Sequence, residues 1–383
     1  MNLSEFEGIS PYNDAEAAEA LRRIARNPVI PAISKYLFPD LPPGVLRRML
    51  EKVGSIDEFQ NAVMGKVVAA VVAKTSTGVT YDGIENIAGI NGKFLAVSNH
   101  RDIILDPAIT QWIFQQNAIP LMEICVGSNL LSSKLVEDLL RSNRMIKVIR
   151  GISARELYLS SRILSRYIRE SICSGRASVW VAQKEGRSKN GMDVTEQGLL
   201  KMFDMSGEAD FRTNFRDLHI VPVSISYEIE PCDARKAREN FIRETQGSYK
   251  KKKDEDLHSI LTGIRQLKGG IHISFGNELT AEELDSAAAG CGNERYQTLM
   301  KILDGRIATG YKLWKNNMIA YDLLNGGDRF ADSYSDSDRA AFIKYADHKL
   351  GKIESRFDRT RMREIFYGIY ANPIVNKDRY GLL

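Results

Sequence analysis

The spacing of apolar positions changes twice along the chain. From about Ala15 to Thr75 it is helical, as in Phe59, Val63, Val67, Val71 and Val72, which share one face of a 3.6-residue repeat. Ser55-Ile56-Asp57-Glu58 has the form of a capping box opening that helix. Pro28, Pro31, Pro39, Pro42 and Pro43 divide the earlier helical pieces, because proline lacks an amide donor and clashes with the preceding turn. From about Lys93 onward, short β-rich runs alternate with amphipathic stretches. The runs Phe94–Ser98, Ile119–Val126, Met145–Ile149, Ala177–Gln183, His219–Tyr227 and Ile271–Phe275 predict strands. Beyond Thr280 the pattern is helical again, with Tyr311, Trp314, Met318, Ile319 and Leu323 as a core stripe. Strands alternating with helices predict an α/β fold with a mixed, largely parallel sheet flanked by helices. The expected organisation is a helical N-terminal domain over residues 1–79, an α/β domain over 80–280 and a helical C-terminal extension over 281–383.

One predicted helix changes the charge picture. Ser153-Ala154-Arg155-Glu156 is a second capping box. Behind it Leu157, Leu164, Ile168 and Ile172 line one face, and Arg155, Arg162, Arg166 and Arg169 the other. Net charge over the 383 residues is only +4, but Arg141 to Lys189 holds twelve basic residues against Glu156, Glu170 and Glu185. Such an excess suits an anionic partner or a solvated face. Aromatic residues are too sparsely interleaved there for stacking on nucleic acid. Lys250 to Lys253, followed by Asp254-Glu255-Asp256, reads as an exposed loop.

The four cysteines are far apart with no CxxC pair, which argues against a zinc site or disulfide framework and fits a reducing cytoplasm. Met1 to Tyr12 has no basic region followed by an apolar one, unlike a signal peptide. The longest apolar run, Ala62 to Ala73, contains Lys66 and is too short to span a bilayer. The expected location is cytoplasmic, with any membrane contact peripheral.

There is no Walker A loop, HExxH or GxSxG element in the sequence. Of the five histidines, His219 reads as a core residue inside a strand, His258 and His348 as exposed, and His272 as a strand residue with no evident partner. His100 differs. It follows the Phe94–Ser98 strand directly, and open α/β sheets gather ligands beyond the carboxyl ends of their strands. Asp102 and Asp106 follow, and Pro107 stands where a helix can begin. A neutral imidazole can take the proton of an attacking alcohol when a carboxylate on its other nitrogen fixes the tautomer. Helix capping is the alternative reading of the same residues.

Four segments in order resemble the blocks of the glycerolipid acyltransferase superfamily, which includes glycerol-3-phosphate and lysophosphatidate acyltransferases. Asn99-His100 with Asp106-Pro107-Ala108 is similar to its histidine–aspartate motif. Arg144-Met145-Ile146-Lys147-Val148-Ile149-Arg150-Gly151 resembles the second block, and Val179 through Glu185-Gly186-Arg187-Ser188 the third. Ile220-Val221-Pro222-Val223-Ser224 resembles the fourth. The resemblance implies O-acyl transfer from acyl-CoA or acyl carrier protein to a glycerol-based acceptor, without a protein nucleophile, metal or prosthetic group. It implies His100 as general base, and Arg150, Lys147, Glu185, Gly186 and Arg187 as acceptor-binding residues. Two departures stand out. Five residues separate His100 from Asp106 where the family has four, so Asp106 or Asp102 could orient the histidine. The third block lacks the usual proline and threonine, which leaves the acceptor open between glycerol phosphate, lysophosphatidate and a lyso-aminolipid. A basic membrane-binding module without catalysis is the rival from another class.

Overall fold

The computed structural model describes residues 3–131, 133–252 and 254–383. Met1, Asn2 and Lys253, the last of the four lysines, lie outside the described residues. Seven strands among the described residues form one sheet: β1 (Ser76–Asp82), β2 (Leu95–Ser98), β3 (Glu123–Gly127), β4 (Met145–Val148), β5 (Val179–Ala182), β6 (Ile220–Tyr227) and β7 (Gly269–Phe275). Their order is β1-β7-β6-β2-β5-β3-β4. Every pairing is parallel except β6 with β7. The fold is thus α/β with a mixed, mostly parallel sheet and helices at both ends of the chain.

β2 lies in the middle of the sheet, and all four of its residues are buried. Helices cover both of its faces, which is why the strand reads as a continuous apolar run. Leu95 and Val97 face one core with Ile168 of the Ala154–Cys173 helix and Leu303 of the Glu294–Gly310 helix. Ala96 faces the other core with Ile109 and Ile113 of the Leu105–Gln116 helix and Val68 of the Gly65–Thr75 helix. Each fully buried aliphatic side chain contributes roughly 1.5–3 kcal/mol, so the end of β2 is anchored from both sides. Pro222 is tolerated inside central β6 because the β7 ladder stops beside it at Val223–Phe275, and its carbonyl accepts from Gly276 N at 2.9 Å.

Several expectations shift. β1 is an edge strand that the sequence pattern missed, because Ser-Thr-Gly-Val-Thr-Tyr-Asp has no apolar alternation and is mostly exposed. The Ser153–Glu156 capping box forms in full. At Ser55 only half of the box forms: Ser55 accepts from Glu58 N, while the Glu58 carboxylate takes Gly54 N. His219 is not a core residue. It precedes β6 at φ +47°, its side chain is 38% exposed, and its Nδ1 lies 2.8 Å from Glu278. His272 does find partners, Thr80 Oγ1 at 2.9 Å and Asp82 at 3.3 Å, both on the unanticipated β1. Leu157 does not join Leu164, Ile168 and Ile172 in the core. Residues 151–159 are all exposed, because no described residue covers the first turn of the Ala154–Cys173 helix. No helix among the described residues is long and apolar enough to cross a membrane.

Candidate active site

The site is built outward from the end of β2. Asn99 is fully buried and locks the chain to β6: its amide nitrogen donates to Ile225 O at 3.0 Å, and its oxygen accepts from Ile225 N at 2.7 Å. His100 follows, with its carbonyl accepting from Ser188 N at 2.7 Å. This bond ties the histidine loop to the third block, 88 residues along the chain. Trp180 of β5 packs edge-on against the imidazole, with ring centroids 5.7 Å apart.

The two candidate carboxylates part cleanly. Asp106 Oδ2 lies 2.8 Å from His100 Nδ1. Asp102 turns the other way: its Oδ1 accepts from Ile104 N at 3.0 Å and Leu105 N at 2.9 Å, capping the Leu105–Gln116 helix. Satisfying such end amides is what an aspartate before a helix does best. The extra residue in the spacing is taken up by this turn, in which Arg101 N and Asp102 N both donate to Asp106 Oδ2, at 2.5 and 2.9 Å. The other Asp106 oxygen accepts from the Tyr227 hydroxyl at 2.7 Å. Asp106 is fully buried, so these donors satisfy both of its oxygens away from solvent. Burial, and then Asp106, push the Tyr227 phenol well above its ordinary range, which keeps it a donor.

Beneath the loop lies a charged network that sequence reading missed. Arg101 is completely buried. It pairs with Asp193, stands 3.6 Å from Glu230, and stacks over the Tyr311 ring at 5.0 Å. Burial opposes its charge, but Asp193, Tyr311 and Glu230 outweigh burial and hold its pKa raised. Lys236 donates to the Arg101 carbonyl at 2.8 Å and to Glu230 at 2.6 Å. Sequence alone marks Arg101 and Lys236 as surface residues. Only their clustering with acids from distant segments makes burial tolerable.

His100 opens onto a cavity of about 610 Å³. Ile103, Ile124, Val126, Leu130 and Trp180 form its apolar wall, and Arg150, Arg187 and Lys189 stand on its polar side. Arg150 follows β4 and lies across Gly127, where a Cβ would stand 2.9 Å from its guanidinium carbon. Glu185 holds it at 3.4 Å. Gly186 is needed for its backbone, at φ +73° with open space around it, rather than for a close neighbour. Arg187 is mostly buried, with Nη1 lacking a hydrogen-bond partner among the described residues. Lys189, missed at the sequence level, pairs with Glu239 at 2.5 Å. Burial, and then Arg187, bring it down to about 8. Cys125 also lines the cavity, but burial and then Glu123 push its thiol up to about 12, so it is no nucleophile at neutral pH.

Lys147 does not reach the cavity. It lies on the β4 face that carries Met145, while Ile146 and Val148 meet the opposite core, and its backbone N donates to Ile9 O. Much of the basic run is likewise structural. Arg141 lies over Tyr12, Arg144 pairs with Asp57, Arg166 with Glu5 and Arg176 with Glu123, and Arg169 donates to the carbonyls of Phe203 and Asn214.

A carboxylate-bound imidazole beside guanidinium groups and an apolar wall suits group transfer, and the family comparison points to acyl transfer. Residues 78–226, which hold all four sequence blocks, match the acyltransferase family model. The match is to the acyltransferase domain over those residues, which lie within the α/β sheet region. Among solved structures, the chain is similar to the 1-acyl-sn-glycerophosphate (LPA) acyltransferase PlsC from Thermotoga maritima, at 13% identity and a TM-score of 0.40, with 75% of this chain and 91% of that chain covered. No curated protein matches the sequence.

Proposed function

We propose that this chain moves a fatty acyl group from an acyl thioester, acyl-CoA or acyl carrier protein, to the hydroxyl of glycerol-3-phosphate or lysophosphatidate in phospholipid synthesis. The observation that carries the reading is the His100–Asp106 pair opening onto a cavity with an unpartnered, buried Arg187 nitrogen. With Nδ1 donating to Asp106, His100 presents Nε2 as a base. Nε2 takes the acceptor's hydroxyl proton as the oxygen attacks the thioester carbonyl. The C–S bond then breaks, and the leaving thiolate takes the proton back from the imidazolium. Asp106, on Nδ1, stabilises that imidazolium. Arg150, Arg187 and Lys189 bind the acceptor phosphate by charge-assisted hydrogen bonds. Ile103, Ile124 and Val126 shelter the thioester end of the acyl chain.

The test is acyl transfer from palmitoyl thioester to each acceptor, in wild type and His100→Ala. Transfer by the wild type and its loss in the variant is the expected result. Equal rates in both would end the His100 mechanism.

Peripheral membrane contact belongs to the same reading. Ile152, Leu157, Tyr158 and Leu159 are all exposed. They adjoin Arg150 and Gly151 at the cavity mouth, and Arg155 and Arg162 flank them. An apolar tip with basic neighbours suits an anionic lipid surface. The full chain is expected to co-sediment with anionic vesicles, and Leu157→Ser/Leu159→Ser to weaken that binding by about tenfold or more. Unchanged binding would place the contact elsewhere.

A further inference from the structure

A second cationic basin lies on the far side of the Glu255–Arg265 helix. One side of that helix meets the catalytic region. Asp256 lines the catalytic cavity, and Gly263 packs so closely on Asp102 that a Cβ there would overlap its Oδ2. The other side, with His258, Leu261, Thr262 and Arg265, lines a separate open basin of about 600 Å³. Arg235 comes from the Asp233–Gln246 helix, and His348, Lys349 and Lys352 from the end of the Asp336–Leu350 helix and the turn after it.

The charge balance of this basin departs from its surroundings. No carboxylate is among its lining residues. Lys349 is paired, to Asp233 at 3.1 Å, and Arg265 lies over the Tyr36 ring at 5.8 Å. Arg235 and Lys352 have no carboxylate within ion-pair reach among the described residues. On the Asp233–Gln246 helix, outside the basin, arginines are paired: Arg238 with Glu354 at 2.5 Å and Arg243 with Glu239 at 2.9 Å, and Asp347 of the Asp336–Leu350 helix pairs with Arg363 at 2.8 Å. Acids are therefore available nearby but excluded from this concavity. Converging like charges repel one another, and a concave surface focuses their field on whatever occupies it. Guanidinium and ammonium groups converging from three segments match an anion with several oxygens, and phosphate suits them best.

We propose that this basin is a second anion site, separate from the catalytic cavity, which takes a phosphate-bearing ligand through Arg235, Arg265, Lys349 and Lys352. Its chemistry is that of a di- or polyphosphate, whether free in solution or presented as a lipid headgroup.

The experiment is calorimetric titration of the full chain with inorganic pyrophosphate, comparing wild type, Arg235→Gln/Lys352→Gln and Arg187→Leu. All three replaced residues leave the backbone untouched, and a thermal melt of each variant verifies folding. Arg187→Leu is expected to keep binding at the basin. Arg235→Gln/Lys352→Gln is expected to lose that event, with affinity reduced about tenfold or more for each cation removed. A parallel arm with vesicles containing phosphatidic acid separates the sources: binding of vesicles lost in the same double variant assigns a lipid headgroup, and pyrophosphate binding alone assigns a free ligand. An isotherm unchanged in Arg235→Gln/Lys352→Gln, or binding abolished by Arg187→Leu alone, would overturn the second site.

Discussion

Two histidine–carboxylate pairs stand at opposite ends of neighbouring strands in the same sheet. His100 follows the end of β2, and His219 precedes the start of its parallel neighbour β6. In both, Nδ1 lies 2.8 Å from a carboxylate oxygen. Their surroundings differ in every other respect. Asp106 is fully buried and receives three further donors, while the Glu278 side chain is 35% exposed and His219 is 38% exposed. His100 faces a cavity with Arg150, Arg187 and Lys189, whereas the depression beside His219 has no lysine or arginine among its lining residues. The pair alone is therefore not a site. A shielded carboxylate fixes the imidazole and lends it charge in a low dielectric, and nearby cations supply something to bind. A solvated pair is screened and contributes little.

This contrast can be broken by exchanging equivalent lesions. His100→Ala is expected to slow transfer by about 10²–10⁴-fold, and His219→Ala to leave it unchanged. A loss in His219→Ala would mean that the amino-end pair also takes part. Asp106→Asn is expected to lower kcat on the order of 10²-fold, because it supports the wrong tautomer and cannot balance the imidazolium. Glu278→Gln should not affect kcat, and Asp102→Asn should leave a chemical melt nearly unchanged, because asparagine caps about as well as aspartate, with kcat within a few-fold of wild type. If Asp102→Asn proves as damaging to kcat as Asp106→Asn, the division of labour is wrong.

Arg187→Leu sharpens the comparison on the binding side. KM for a phosphorylated acceptor should rise about tenfold or more, and a phosphate-free acceptor should show no such rise. The smallest effect is one of pH. Lys189, brought down to about 8 by burial and then Arg187, is cationic below that pH and neutral above it. KM for the phosphorylated acceptor should therefore rise by a few-fold as pH passes upward through about 8. Lys189→Arg, which stays charged, should flatten the profile. A profile of the same shape in both proteins would remove Lys189 from the binding set.

Much of this site was readable before folding was considered. His100, Arg150 and Glu185-Gly186-Arg187 each stand just past a strand, where local pattern and sheet chemistry agree. Lys147 could not be excluded by the same means: period-two alternation along β4 sets it on the face of Met145, in the core that also holds the cavity-wall residues Ile124 and Trp180, and only the tertiary structure leaves it off the cavity lining. Tyr227 and Lys236 were beyond such reasoning, since they meet Asp106 and Arg101 across 121 and 135 residues of chain.

The sequence by itself determined the alternation that makes an α/β sheet, the buried central strand and the histidine at its carboxyl end, because each depends on residues within a few positions of one another. Tertiary structure alone decided which aspartate orients His100, that Arg101 is buried, that β7 runs against β6, and that one of two equal histidine pairs opens onto a cationic cavity. Those outcomes depend on the turn geometry at Asp102 and on charges brought together from distant segments, and desolvation gives such meetings their energy only once the chain has closed around them.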